Sequence, residues 1–331
     1  MKVVLRADAS SEIGTGHVMR QVALAEELLR RGAEVFLVGE VLGPSWLEEK
    51  LTSLRGLQRF HQPAGTFDSG VLKELGASVS TIDSYALGQS DLAEWESQSI
   101  RTLVFIDGPW QQLRGGVAVV PTIDDSSLWL EDLRSRFSSV HAGPDYLMIR
   151  KEIRRAKQQI DRNPATLPQI LVVIGGTDPR GYSELIASAL CPLSPDYRIV
   201  VVGAENRDQR SVGHSLVCEG IVYAPRSDFV NELTKSSLVI SAAGTAAAEL
   251  LFLKVPTLFV PVAENQSENA RAIERLRPSC VLRPESPDFG ASLRRAVHRV
   301  SDRLYSMSAH EPIDDLGSRR IAILLLGDSG V

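Results

Sequence analysis

Cysteine is scarce: Cys191, Cys218 and Cys280 are the only three in 331 residues, and none is spaced as C-x-x-C. Three isolated thiols exclude a disulfide framework and suit a reducing cytoplasm, which is the compartment expected here. The six histidines are scattered. None pairs with another at metal-ligand spacing, so neither a metal nor a cofactor is expected. The chain contains no GxxxxGK[ST] phosphate loop. Gly14-x-Gly16 lacks the third glycine of a dinucleotide fingerprint, with Met19 in its place. No acidic residue is placed to hold an adenosine ribose, which excludes a nicotinamide or flavin site. No run reaches the roughly 18–20 apolar residues of a membrane span, and Ile321 to Leu326 is far too short. No secretory signature opens the chain. With 36 basic against 41 acidic residues, and a formal charge of −5, there is no basic excess for nucleic acid. A monomer handling a small-molecule substrate is expected.

What is present is alternation. A hydrophobic fraction of 44% and a charged fraction of 23% are ordinary for a globular chain, and the length is comfortable for two cores. Lys2 to Arg6 reads as a buried parallel strand. Gly14 and Gly16 then allow a tight turn and close backbone approach. From His17 the apolar residues recur at helical spacing and stop at Gly32, a C-cap glycine. A histidine in the first turn of that helix, at the carboxyl end of strand one, occupies the usual ligand crevice of an open α/β sheet. The bland alternative is a capping or packing histidine.

Further strands are predicted at Val35–Val38, Val79–Ile82, Leu103–Ile106 and Val117–Val120. The charged stretch 150–162 reads as a solvated helix, and Asn163 to Pro168 as the interdomain linker. A second series follows at Ile170–Ile174, Arg198–Val202, Leu238–Ser241 and Thr257–Val260. The expected class is α/β, with two doubly wound Rossmann-like domains, 1–162 and 163–331, facing each other across a cleft. The last helix is expected to be able to pack back on the first domain.

Three segments, read together, resemble one family. Arg6 to Arg20 (RADASSEIGTGHVMR), Gly175-Gly176-Thr177-Asp178, and Ile240 to Leu250 with Val260 to Gln266 are similar to the UDP-sugar hydrolases of pseudaminic acid biosynthesis. Asp83-Ser84-Tyr85 and Gly143 to Arg150 add to the resemblance. The last of the three segments is shared with the wider GT-B glycosyltransferases, including the enzyme that makes lipid II. The resemblance implies a GT-B fold and hydrolysis of UDP-2,4-diacetamido-2,4,6-trideoxy-β-L-altropyranose by water, with inversion and no divalent metal. His17 would be the general base, with Asp8 or Asp83 orienting it. Arg6, Asp8, Gly14, Gly16, Arg20, Asp83 and Tyr85 would surround the sugar.

For the nucleotide the resemblance implies Gly176, Thr177, Ser241, Ala242, Gly244, Thr245, Asn265 and Gln266, with Tyr223 in the uracil pocket. Glu249 would accept both ribose hydroxyls. The small residues from Ala242 to Thr245 open an alanine-rich helix, whose N–H groups and dipole suit a diphosphate. Gly175 to Asp178 reads equally as a turn and helix cap, with Pro179 at the first helical position. The family often carries histidine where this chain has Ser84, a departure that bears on sugar specificity. Two alternatives stay open: a GT-B glycosyltransferase passing a sugar to a glycan or lipid, and a UDP-sugar 2-epimerase. Trp46-Leu47 is the one modest candidate for a membrane-facing patch.

Overall fold

The computed structural model describes residues 1–160, 167–178, 180–203, 218, 220–302 and 313–327. The chain divides into two compact units. The first comprises Met1–Gly43, Leu47–Lys151 and Pro312–Val331, and the second Pro44–Trp46 and Glu152–Glu311. The division thus falls earlier than the boundary at 162/163 read from the sequence, and residues 163–166 of the expected linker lie outside the described residues.

The first unit contains β1 (Lys2–Ala7), α1 (Gly16–Arg30), β2 (Glu34–Val38), α2 (Ser45–Ser53, whose first two residues belong to the second unit), β3 (Leu57–Phe60), α3 (Gly70–Glu74) and β4 (Val79–Asp83). It continues with α4 (Gln89–Ser97), β5 (Arg101–Phe105), β6 (Gly115–Val120), α5 (Trp129–Arg136) and β7 (Phe137–Ala142). Its sheet is parallel throughout, in the order β3-β2-β1-β4-β5-β6-β7. The central strands are buried on both faces, which explains their unbroken apolar runs. Strands β3 and β7 escaped the sequence reading because Leu57–Phe60 and Phe137–Ala142 lie at the sheet edges, half exposed and mixed in polarity.

The second unit contains α6 (Lys151–Ala156, whose first residue closes the first unit), β8 (Gln169–Val173), α7 (Tyr182–Leu190), β9 (Arg198–Val202), β10 (Ile221–Ala224) and α8 (Phe229–Thr234). It ends with β11 (Leu238–Ser241), α9 (Ala246–Leu253), β12 (Thr257–Phe259), α10 (Ser267–Leu276) and α11 (Phe289–Asp302). The sheet is again parallel, in the order β10-β9-β8-β11-β12. Its core joins Ile170, Val172, Ile199, Val201, Ile240 and Leu258 from the strands to Ile186, Leu190, Leu293 and Val297 from α7 and α11.

The final helix, α12 (Gly317–Leu326), packs in the first unit against α1, burying Ile321, Ala322 and Leu325. The stretch 150–162 is not a solvated helix along its length. Among its described residues only Lys151–Ala156 is helical, with Ile153 and Ala156 buried. Leu47 is also fully buried, which removes the suspected Trp46-Leu47 surface patch. Cys191 and Cys218 are joined in a disulfide, while Cys280 is free and buried. The reading of three isolated thiols is therefore corrected, and the cytoplasmic expectation loses that support.

Candidate functional site

In both sheets the strand order reverses beside the first strand of the unit: between β1 and β4 in the first, and between β8 and β11 in the second. Loops diverge at such a switch point, so a crevice opens at the carboxyl ends of the strands. Many of the residues singled out from the sequence lie at the strand ends beside these two points, with Tyr223 on the edge strand β10 and Asn265 and Gln266 after β12.

In the first unit the chain leaves β1, folds into a tight turn and enters α1. Ser10 Oγ accepts the N–H groups of Glu12 and Ile13, and Gly14 N–H donates to the Ser10 carbonyl at 2.8 Å. Gly14 has φ +81°, the left-handed region that glycine adopts without strain. Nothing lies within 4 Å of where its Cβ would stand. Gly14 therefore serves the turn rather than a close approach. Gly16 is simply the first residue of α1. His17 follows it, buried.

The His17 ring meets the Tyr85 ring edge-on, with centroids 4.3 Å apart. His17 Nε2 lies 3.7 Å from Asp107 Oδ2. The Tyr85 hydroxyl donates to the same oxygen at 2.8 Å. Arg20, one turn along α1 from His17, donates to both Asp83 oxygens, at 2.8 and 2.5 Å. Its other N–H groups reach Asp107, at 2.5 and 3.1 Å. Gln21 adds a bond to Asp83 and is itself held by Thr81. Burial pushes the Asp107 carboxyl up, but the Arg20 charge and hydrogen bonds, with His17 and the Tyr85 hydroxyl, bring it down to about 2. Burial likewise disfavours the Arg20 cation, yet Asp107 and Asp83 hold its pKa well above the ordinary value.

The carboxylate facing His17 is thus Asp107, neither Asp8 nor Asp83. Asp83 is taken up by Arg20 and Gln21. Asp8 accepts from Arg6 at 2.5 Å and from the Glu40 and Gly65 N–H groups. Arg6 is 0% exposed and also donates to Gln62 and to the Thr66 and Pro63 carbonyls. Arg6 and Asp8 therefore form an internal strut, and Arg20 is a clamp between carboxylates. Asp107 was legible only as a carboxylate ending a buried strand (Ile-Asp-Gly-Pro), which reads first as a turn.

His17, Asp83 and Asp107 are the one group among the described residues whose potential metal-ligand atoms all lie within 4.8 Å of one another. Arg20 already donates to both carboxylates, so a fixed cation meets their charge. This donor set does not suit a divalent ion.

In the second unit β11 ends at Ser241, whose hydroxyl donates to the Ala242 carbonyl. Ala242 and Ala243 are buried, Gly244 is half-buried, and the exposed Thr245 stands at the N-cap position of α9 without a side-chain cap bond. Two later residues close on this opening. The Gln266 side-chain nitrogen lies 3.6 Å from where a Gly244 Cβ would stand, and Gln266 Oε1 accepts the Val262 N–H. Asn269, unnoticed in the sequence, donates to the Ala243 carbonyl at 3.2 Å. Asn265 shares the single turn Glu264–Gln266. Glu249, one turn into α9, is only 4% exposed. That burial is at odds with an ordinary surface glutamate.

After β8, Gly176 and Thr177 form a half-buried bend. Asp178 accepts the Tyr182 and Ser183 N–H groups at 2.9 and 2.8 Å. The helix α7 starts at Tyr182 with Gly181 as cap, and Pro179, expected at its first position, lies outside the described residues. Tyr223 on β10 donates its hydroxyl to Glu184 at 3.0 Å.

Residues 170–310, most of the second unit, match the glycosyltransferase family 28 C-terminal domain. The chain is 24% identical over 286 residues to the uncharacterized protein MJ1062 of Methanocaldococcus jannaschii, covering 81% of this chain and 57% of that one. It is 27% identical over 149 residues to a UDP-N-acetylglucosamine–N-acetylmuramyl-(pentapeptide) pyrophosphoryl-undecaprenol N-acetylglucosamine transferase of Bacillus thuringiensis, covering 42% of this chain and 39% of that one. The chain thus spans less than two thirds of either relative. Among solved structures, Arabidopsis thaliana UGT89C1 complexed with UDP superposes with a TM-score of 0.66 at 15% identity, over 98% of this chain and 99% of the other. Acinetobacter baumannii MurG does so at 0.62 and 14%, with the same coverage.

The fold is GT-B. Its two parallel sheets are those expected from the alternating strands and helices. Within the GT-B fold, the matched segment carries the Gly244 helix opening and Glu249, while His17 and Asp107 belong to the first unit. No described helix is long and apolar enough to cross a membrane.

Proposed function

We propose that this chain is a GT-B enzyme acting on a UDP-sugar, transferring the sugar to a hydroxyl acceptor. The observation that carries the reading is the Gly244–Thr245 helix opening with buried Glu249 inside the segment that matches the glycosyltransferase family 28 C-terminal domain. There the N-terminal N–H groups of α9, with Gln266 beside Gly244, would meet the diphosphate. Glu249 would accept the ribose hydroxyls, and Tyr223 would border the base.

His17 supplies the chemistry in the first unit. Its imidazole takes the proton from the acceptor hydroxyl as that oxygen bonds to the anomeric carbon. The bond from that carbon to the diphosphate oxygen breaks, and UDP departs with the electron pair. The helix opening stabilises the charge that develops. Asp107 faces the imidazole and stabilises it once protonated, while Arg20 and Tyr85 keep that carboxylate in place.

A second reading, with water as the acceptor, is favoured by one feature: the Arg6–Arg20 stretch resembles hydrolases of a UDP-linked diacetamido-trideoxy sugar from nonulosonic (pseudaminic) acid biosynthesis. Incubating the purified chain with UDP-2,4-diacetamido-2,4,6-trideoxy-β-L-altropyranose and with common UDP-hexoses, with and without glycan acceptors, separates the two. Release of UDP by NMR only when an acceptor is present supports transfer, and equal release without one supports hydrolysis. No release under any condition rejects both. Because Arg20 already donates to both carboxylates, turnover is expected to survive excess EDTA. Loss of activity that Mg²⁺ or Mn²⁺ restores would overturn the metal-free mechanism.

A further inference from the structure

Of the seven exposed large apolar side chains among the described residues of the first unit, five collect at one end of the sheet, Met1 and Leu316 lying elsewhere. Ile13 follows β1, Leu42 follows β2, Tyr85 follows β4, Trp110 follows β5 and Leu128 follows β6, all on loops at the carboxyl ends of the strands. Two of the five are aromatic, in a chain that is 6% aromatic. Of the four tryptophans, Trp95 is buried and donates to the Phe67 carbonyl, and Trp46 and Trp129 are half-buried. Trp110 alone is exposed, at 42%, with Tyr85 at 38%.

This exposure belongs to a held side chain. The Trp110 ring packs so closely over Gly108 that a Cβ there would stand 2.1 Å from a ring carbon. The turn beneath is tied by the Gln111 N–H to the Gly108 carbonyl and by the Asp107 N–H to Gln111 Oε1. The Trp110 ring meets Tyr85 edge-on at 6.3 Å, and Tyr85 meets His17 at 4.3 Å. A continuous aromatic wall therefore runs from solvent to the imidazole.

An indole fixed with much of its surface in water forgoes hydrophobic burial, and an exposed apolar cluster beside polar groups marks a binding site. The chemistry around the wall narrows the occupant. Aromatic faces are electron-rich and attract the polarised C–H groups on one face of a pyranose. His17, Asp107 and the Tyr85 hydroxyl lie beside them and supply the donors and acceptors that a sugar's edge hydroxyls need. An alkyl chain would gain nothing from the buried charges of Asp83, Asp107 and Arg20 next to it.

We propose that Tyr85 and Trp110 form a stacking wall for the C–H face of a pyranose ring, which delivers that ring to His17. The proposal rests on His17 as the base of the reading above, and names the chemistry its neighbours select. The ring belongs either to the UDP-sugar donor or to an acceptor sugar.

The test uses the full chain, with Trp110→Ala and Trp110→Phe as variants. Saturation-transfer NMR and calorimetry are run with UDP, UDP-glucose, UDP-N-acetylglucosamine, methyl β-glucoside and octyl β-glucoside. Expected are contacts from aromatic protons to pyranose C–H groups, an affinity loss of about tenfold in Trp110→Ala, and partial rescue in Trp110→Phe. UDP alone should bind all three proteins within about twofold. Loss confined to the UDP-sugars identifies the donor ring, and loss confined to the glucosides the acceptor ring. Transfer only to the octyl chain or the uracil, or affinities unchanged in Trp110→Ala, overturns the wall. Failure of UDP to bind would sink the nucleotide reading instead, while the glucosides still decide the wall.

Discussion

His17 Nε2 and Asp107 Oδ2 lie 3.7 Å apart, too far for a hydrogen bond and close enough for an ion pair once the imidazole gains a proton. That separation suits a base facing a carboxylate whose remaining demands are already met by Arg20 and Tyr85. Replacing His17 by Asn is expected to lower kcat by ~10²–10⁴ while UDP affinity stays within about threefold. Steady-state kinetics together with UDP calorimetry measure both quantities. Near-normal turnover would remove His17 from the mechanism.

The Asp107 carboxyl, held at about 2 against an ordinary value of 3.8, links stability to acid. A depressed folded-state pKa contributes stability that is complete above the unfolded value and is lost as pH falls through the folded one. Wild type should therefore be more stable than Asp107→Asn at pH 6, and the gap should close between about pH 4 and pH 2. Urea midpoints across that range measure the gap. A gap that is constant down to pH 2 would show that Asp107 is not ionised against Arg20.

Arg6 and Asp8 are both buried and bonded to each other at 2.5 Å. Removing one partner strands the other charge, so Arg6→Met should cost about 3–5 kcal/mol. The double change Arg6→Met with Asp8→Asn should recover part of that loss. UDP affinity should not move, since the pair lies in the first unit. A stable Arg6→Met protein that binds the sugar poorly would instead return Arg6 to the ligand site.

Glu249 is buried one turn into α9, so alanine would leave a cavity as well as remove the carboxylate. Glu249→Gln nearly keeps the volume. If the ribose hydroxyls donate to Glu249, that change should weaken UDP by about 1.5–3 kcal/mol by calorimetry, with little change in melting temperature. Equal affinities would leave Glu249 a packing residue.

Much of the fold was legible because strands buried on both faces must be apolar on both, so Lys2–Arg6, Leu103–Ile106 and Ile170–Ile174 announce themselves as unbroken runs. The turn chemistry of Gly14 and the opening at Gly244 were legible for a similar reason, since few residue types satisfy those backbones. These are local demands, and the amino-acid sequence by itself determined them, along with the two-fold alternation that makes a pair of parallel sheets. Partner choice was not local. Arg6 and Arg20 are the same residue type at the same end of the sheet, yet one is sealed beneath Asp8 and Gln62 while the other clamps two carboxylates at the crevice. Asp83 closes β4 and Asp107 follows the neighbouring β5, and only the course of α1 across them places Asp107 against His17. The Cys191–Cys218 pair and the Trp110–Tyr85–His17 wall likewise join residues far apart in the chain. Such pairings depend on strand order, loop course and burial, and only the tertiary structure decided them.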